Sequence, residues 1–480
     1  MGHLIPKLFL WLTMMFLLGH SPIYAQDSLF IDIQINGLEK TRAWVVLMEL
    51  PFQEGEKVAR TEVEDLKQKA RQNLYNLALF NDVQISSSQQ EDSLHLFIQV
   101  AERWYLWGSP RIGIEERNSY DLLGALQGRR LNRLVIGGTV QWQNLTGRNE
   151  LLYITGQLGF SQRIRVDFRR PYLIRPWRID LGAGVRHIRE REIILGTGDG
   201  QAIWRRVEDE PLRKTWLSYV FLQKRFTPRR SLRMELSWQH HDYVDSLFSR
   251  QASNYIRPFF LTERTSLRYT SVLLGYVQDE RDVKRYPLAG YKAMAWLRYV
   301  GNLERSDIHF GRLYLSMAKY HPINRRWNLS AGGIFLHSIG QKIPWQEKTF
   351  LWIPKREFPD YSQELRGYQP YAIAGTQLGI LKTEVKFGIF PYQTVSFPFI
   401  PFKKLSEGPL GCYLTAFFDQ GFIRDQTQVA VDPVFLDQWL YGYGVGLNLI
   451  GFYDMLLRVE YSRNHLNQGG IYLHTTVQIK

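Results

Sequence analysis

From residue 105 onward, apolar and polar side chains alternate one by one in stretches of about ten residues, broken by turn-forming positions. Ile164, Val166 and Phe168 alternate with Arg163, Arg165, Asp167 and Arg169, and Leu232, Met234, Leu236 and Trp238 with Arg233, Glu235, Ser237 and Gln239. Trp177, Ile179, Leu181, Ala183 and Val185 repeat the pattern against Arg178, Asp180, Gly182, Gly184 and Arg186, as do Met455, Leu457, Val459 and Tyr461 against Arg458, Glu460 and Ser462. Successive strand side chains point to opposite faces, so each stretch predicts a strand with one apolar and one charged face. Tilted strands of this length span a bilayer. Short turns are predicted near 146–147, 171–176, 228–230, 322–325 and 451–454, and longer loops near 188–213, 244–263 and 339–376. The count is about sixteen strands, even as antiparallel membrane barrels require. A soluble sandwich also alternates. The charge density of the polar faces and the asymmetry of short turns against long loops favour an all-β transmembrane barrel over residues 105–480.

A different periodicity occupies residues 28–103. Leu29 to Gly37 alternates around Ile31, Ile33 and Ile35 as a strand, and Thr41 is placed to cap a short helix through Trp44, Val45, Leu47 and Leu50. Pro51 to Glu56 breaks it. A second helix carries Val63, Leu66, Ala70, Leu74 and Leu77 on one face, and strands over Val83–Ser87 and Leu94–Val100 follow. The order strand, helix, helix, strand, strand describes a small α+β module.

Composition refines the address. The chain has 480 residues, 45% hydrophobic and 14% aromatic, yet past the N-terminus no run approaches the roughly 18 apolar residues of a membrane-spanning helix. Lys7, the apolar run Leu8 to Leu18 and Ile23-Tyr24-Ala25 read as an export signal over residues 1–25, with no Cys after it for lipid attachment. The single Cys412 allows no internal disulfide. A net charge of +14 would suit nucleic acid if it were clustered, but Lys and Arg are spread over alternate strand positions. Nucleic acid is therefore not expected as a partner. Phosphate-bearing outer-membrane lipid and a polar lumen are.

The module's residues resemble a POTRA domain: Ile35-x-Gly37 before Lys40-Thr41, Glu54-Gly55 in the turn, Asn73-Leu74-x-x-Leu77 followed by Leu79-Phe80, and Val100-x-Glu102-Arg103. That resemblance implies a periplasmic unit that binds unfolded or secreted client chains, commonly by adding a strand to a sheet edge. A spacer that only holds the barrel off other components is the plainer alternative.

The barrel resembles the BamA/TamA family of outer-membrane assembly proteins, also called bacterial surface antigens. Asp279-x-Arg281-Asp282 with Tyr286-Pro287-x-x-Gly290 matches its mid-barrel turn motif. Leu365-Arg366-Gly367-Tyr368 matches its inward-folding loop, and Glu384, Phe417-Phe418-Asp419-x-Gly421 and Tyr443-Gly444-Val445-Gly446 match the strand motifs that follow. The resemblance implies a plugged barrel in a Gram-negative outer membrane that inserts or translocates client proteins, with periplasmic accessory subunits as further partners. It also implies that Arg366, with Gly367 and Tyr368, folds into the lumen and meets Glu384 and Asp419 as an internal latch. If Asp419 faces the lumen, so do Tyr413, Thr415 and Phe417, leaving Cys412, Leu414, Ala416 and Phe418 for lipid. The family's insertase mechanism further implies a weak seam between the first strand, which contains Pro110, and the last, which begins at Gly469-Gly470.

Three departures favour a specialised relative: room for one POTRA unit, an end at Gln478-Ile479-Lys480 without a terminal aromatic, and a long Pro- and Phe-rich segment over 391–409. Two-partner-type secretion, lipid handling and, less favoured, a passive porin remain as alternatives. No enzymatic activity and no cofactor are expected. His240-His241-Asp242 puts its two His on opposite faces, Gly196-x-Gly198-x-Gly200 lies in a loop, and no nucleophile motif for a lipid hydrolase is present. Trp104, Tyr105 and Trp107 read as an interfacial aromatic belt.

Overall fold

The computed structural model describes residues 28–114, 133–198, 200–206, 210–244, 265–284, 286–301, 308–351, 364–368, 371, 373–396, 407–427, 433–451 and 455–476. The export signal expected over 1–25, most of the 244–263 loop, the middle of the 391–409 segment and the end of the last strand lie outside the described residues.

In the N-terminal module, β1 (Ser28–Asn36), α1 (Ala43–Leu47), β2 (Lys57–Ala59), α2 (Val63–Asn76), β3 (Phe80–Gln90) and β4 (Ser93–Glu102) follow one another. The sheet runs β2-β1-β4-β3, with β1 parallel to β4. Alternate positions of β4 (Leu94, Leu96, Ile98, Val100) turn inward and meet Ala70 and Leu74 from one face of α2, with Val45 and Val46 from α1. Each such fully buried Leu, Ile or Val contributes about 1.5–3 kcal/mol relative to exposure. Two local expectations are corrected. The stretch after the first helix contains β2, paired antiparallel to β1. Thr41 does not cap α1: Arg42 holds the cap position without a side-chain bond, and the Thr41 hydroxyl is taken up by Tyr105 and Asn144.

The remaining strands are β5 (Leu106–Ile114), β6 (Leu134–Gln143), β7 (Leu151–Gly159), β8 (Gln162–Ile174), β9 (Ile179–Glu190), β10 (Glu192–Gly198), β11 (Gln201–Arg206) and β12 (Arg213–Thr227). Next come β13 (Arg230–Tyr243), β14 (Ser266–Asp279), β15 (Gly290–Gly301), β16 (His309–Pro322), β17 (Trp327–Lys342), β18 (Thr349–Phe350) and β19 (Ala374–Gly375). The chain closes with β20 (Gln377–Ser396), β21 (Glu407–Arg424), β22 (Trp439–Gly451), β23 (Met455–Asn464) and β24 (Gly469–Thr476).

Sixteen of these form one antiparallel sheet, running in sequence order from β5 to β24, while β10–β11 and β18–β19 are separate two-stranded pieces. Alternation decides the faces. On β21, Tyr413, Thr415, Phe417 and Asp419 are buried inside, while Leu414, Ala416 and Phe418 are exposed outside. Outward Leu222, Met234, Leu236, Leu274 and Leu297 continue this apolar exterior. The longer connections after β9, β13 and β17 leave from strand ends opposite the module, whereas the one after β20 leaves from the module end. The one expected at 188–213 holds the β10–β11 hairpin, and Pro171 belongs to the irregular end of β8 rather than to a turn. Among the described residues, β5 pairs only with β6 and β24 only with β23.

Candidate functional site

The segment between β17 and β20 turns into the barrel. Leu365 and Tyr368 are fully buried there, in a cluster with Tyr314 and Leu336 from the wall, Ile423 of β21 and Leu440 of β22. This apolar anchor places Arg366 between three strands. Its Nε and Nη2 donate to the two oxygens of Asp419 at 2.7 and 2.6 Å, and Nη1 donates to Glu384 at 2.7 Å. Glu460 on β23 stands 3.6 Å from Nη1, and the guanidinium lies 3.6 Å from the ring centre of Phe417. A planar fork meeting one carboxylate at two points, with a second acid beside it and a ring beneath, is chemistry that Lys cannot reproduce.

The neighbouring residues allow this close approach. Gly367 has φ +92°, and its carbonyl accepts from the Asn464 side-chain amide at 3.1 Å. The Tyr368 hydroxyl donates to the Tyr441 carbonyl at 3.2 Å and also bonds His465 in the short β23–β24 turn. The segment is held a second time nearer the rim. Lys348 forms a fully buried pair with Asp425 at 2.8 Å.

The structure thus brings Arg366, Gly367, Tyr368, Glu384 and Asp419 together. The alternation of β23 already put Glu460 on an inner face, but nothing in the sequence ties β23 to a loop almost a hundred residues earlier.

The residues of the expected turn motif lie at the module end. Arg281 grips Asp279 with two bonds of 2.7 and 2.8 Å, the Asp282 side chain accepts the Leu288 N–H, and Gly290 has φ +92° where the chain enters β15. Tyr286 packs against Tyr413 and Ile450 inside the barrel. Lys386 links this turn to the Arg366 cluster: its ammonium donates to the Pro287 carbonyl at 3.4 Å and stands 3.8 Å from Glu384.

The module is docked on the same end. Glu49 accepts from the Tyr172 hydroxyl at 2.7 Å and pairs with Arg225 at 3.0 Å, while Arg225 also holds the buried Asp180. Arg229 donates to Gln72 and Asn73 of α2, and Asn76 donates to the Asp282 carbonyl. Tyr105, read as part of a lipid-interface belt, belongs instead to this junction, bonding Thr41 at 2.9 Å. Beside it, the Glu102 carboxylate accepts the N–H groups of Glu39, Lys40 and Thr41. Burial pushes this carboxyl up, but the bonds from Thr41, Tyr105 and Lys40 outweigh burial and hold it below the ordinary glutamate value.

Residues 144–451 match the Omp85 superfamily domain, and residues 29–103 match the POTRA surface antigen variable number repeat. The chain belongs to the Omp85 superfamily. It is a Gram-negative outer-membrane β-barrel with its POTRA module in the periplasm, and its function lies in the insertion or translocation of proteins at that membrane. Its fold is similar to that of BamA from Haemophilus ducreyi lacking POTRA domains 1–3, with a TM-score of 0.51 at 14% identity over 93% of this chain and 83% of that one. CdiB from Escherichia coli is similar with a TM-score of 0.56, again at 14% identity, over 93% of this chain and 76% of the other. No curated protein sequence matches.

Proposed function

We propose that the chain inserts or translocates client proteins through a barrel whose lumen is closed by the inward segment, with Arg366 as its latch. Residues 1–25 serve as the export signal, 28–103 receive the client in the periplasm, and 105–480 form the barrel. The observation that carries this reading is the buried fork of Arg366 on Asp419 and Glu384, since a passive pore has no use for an occluded lumen. Gly367 and Tyr368 seat the latch, and the turn bearing Asp279, Asp282, Pro287 and Gly290 couples it through Lys386 to the docked module. Among the described residues β5 and β24 stand at the two ends of the sheet and do not pair with each other, and these outer edges are the seam at which a client strand would be accepted. No catalytic group is required by this mechanism.

Depletion of the protein, followed by a census of the outer membrane, tests the reading. Loss of several barrel proteins supports an insertase. Loss of one secreted partner points to two-partner-type secretion, and an unchanged protein census with altered lipid points to lipid handling. Large, constant ion conductance from the purified protein would overturn the plugged-barrel reading in favour of a porin.

A further inference from the structure

The outward face of β9, β12, β13 and β14 ends, on the side away from the module, in charges that the latch and the docking do not use. Register sets Arg189 directly opposite Lys214, and His240 directly opposite Arg268. Trp216 lies opposite both His187 and His240. Arg189, Lys214 and Arg268 are exposed, on the same faces as Val185, Val220 and Val272. One acid, Asp242, stands opposite Lys214, but it is bonded to His240 at 2.6 Å. Among the described residues, no carboxylate lies within ion-pair distance of any of the three cations. Arg189 donates to Gln162 at 3.2 Å, and Arg268 makes a long 3.4 Å contact with His240.

The depth of this patch follows from β12. Lys214 and Lys224 share its outward face, with Trp216, Val220 and Leu222 between them. Ten residues of strand tilted by about 40° rise roughly 25 Å, the height of the apolar band of such barrels. Lys224 marks the periplasmic boundary and Lys214 the outer one. Trp216 lies two positions inside Lys214, where interfacial aromatics sit, and Trp238 two positions deeper. Like charges directly opposite across a strand pair are destabilising, so Arg189 and Lys214 call for an anion from outside the chain. Spread over three strand steps of about 4.8 Å, the cations match a head group rather than a point charge.

We infer that this arc binds the phosphate groups of an acyl lipid of the outer leaflet, with the acyl chains lying on the apolar face below. Arg189, Lys214 and Arg268 supply the charge. The full chain is placed in phosphatidylcholine nanodiscs doped with diphosphorylated lipid A or with its dephosphorylated form, and bound lipid is counted by native mass spectrometry. The phosphorylated form should be retained preferentially, and R189Q and R268Q should each weaken retention about fivefold. K214E exchanges the like-charge contact with Arg189 for an opposite-charge one, while on its other side it meets Asp242, which His240 already holds, so it should fold comparably to the parent while losing more of the lipid. K319Q, a charge removal near the periplasmic end of β16, should change nothing. Equal retention of the two lipid forms, unchanged retention in K214E, or full displacement by inorganic phosphate would overturn the assignment.

Discussion

The backbone carbonyl of Arg366 lies only 1.9 Å from where a β-carbon on Gly442 would stand. The inward segment therefore rests on bare backbone of β22, and the reach of the Arg366 side chain to Asp419 depends on that contact. Gly442→Ala leaves every charge in place but forces the segment away. It should cost about 1–3 kcal/mol as overpacking does, read as a lower urea midpoint and faster proteolysis within 343–376.

Removing the cation from the same cluster leaves Glu384, Asp419 and Glu460 facing one another. Arg366→Ala should cost about 3–5 kcal/mol, and Arg366→Glu more. Paired with Asp419→Arg, the reversed charge should recover part of the heat-resistant gel mobility. Arg366→Lys keeps a charge but loses the two-point fork, and should fall between parent and Ala. If Arg366→Glu assembles and supports client assembly as well as the parent does, the latch is not what holds the lumen closed.

The periplasmic junction has its own titration. The Glu102 carboxyl sits below 4.5 in the folded protein, so between that lower value and 4.5 the unfolded chain binds the extra proton. The stability that Glu102 contributes is fully present above pH 4.5 and is lost as pH falls through the folded value. Glu102→Gln should flatten that acid limb, followed by denaturation at a series of pH values, with the barrel transition unaffected.

Module docking rests on Glu49 and Arg225. A double-mutant cycle with Glu49→Gln and Arg225→Gln should give a coupling of about 0.5–3 kcal/mol, measured on thermal release of the module. Because Asp180 depends on the same guanidinium, Arg225→Gln should be the more damaging single change. Equal effects for the two would show that Asp180 contributes little.

Much of this was legible in the sequence because a barrel wall is written in period two. The inward and outward residues of β21 followed from placing Asp419 inside, and the helix of the module from Ala70 and Leu74 at spacing four. Motif resemblance located Arg366 and its two nearest acids. What stayed hidden depends on which surfaces meet after closure. Glu460 joins the cluster because β23 lies two strands beyond β21, Tyr105 turns to Thr41 because the module folds back, and Gly442 is required only once the segment has been laid on it. Thr41 misled for a related reason. Its hydroxyl had the usual chemistry of a helix cap, but a partner distant in sequence, Asn144, took it.

The docked module touches the barrel unevenly. Its bonds go to Asn144 and Gly147 between β6 and β7, to Tyr172 and Arg225, to Arg229, to the turn before β15, and to Tyr392 near the end of β20. Among the described residues, none goes to β22, β23 or β24. The earlier strands are braced like the fixed half of a clasp, whereas among the described residues the last three take their cross-contacts from the inward segment, so a deformation of that half of the ring cannot proceed without moving the segment that carries Arg366.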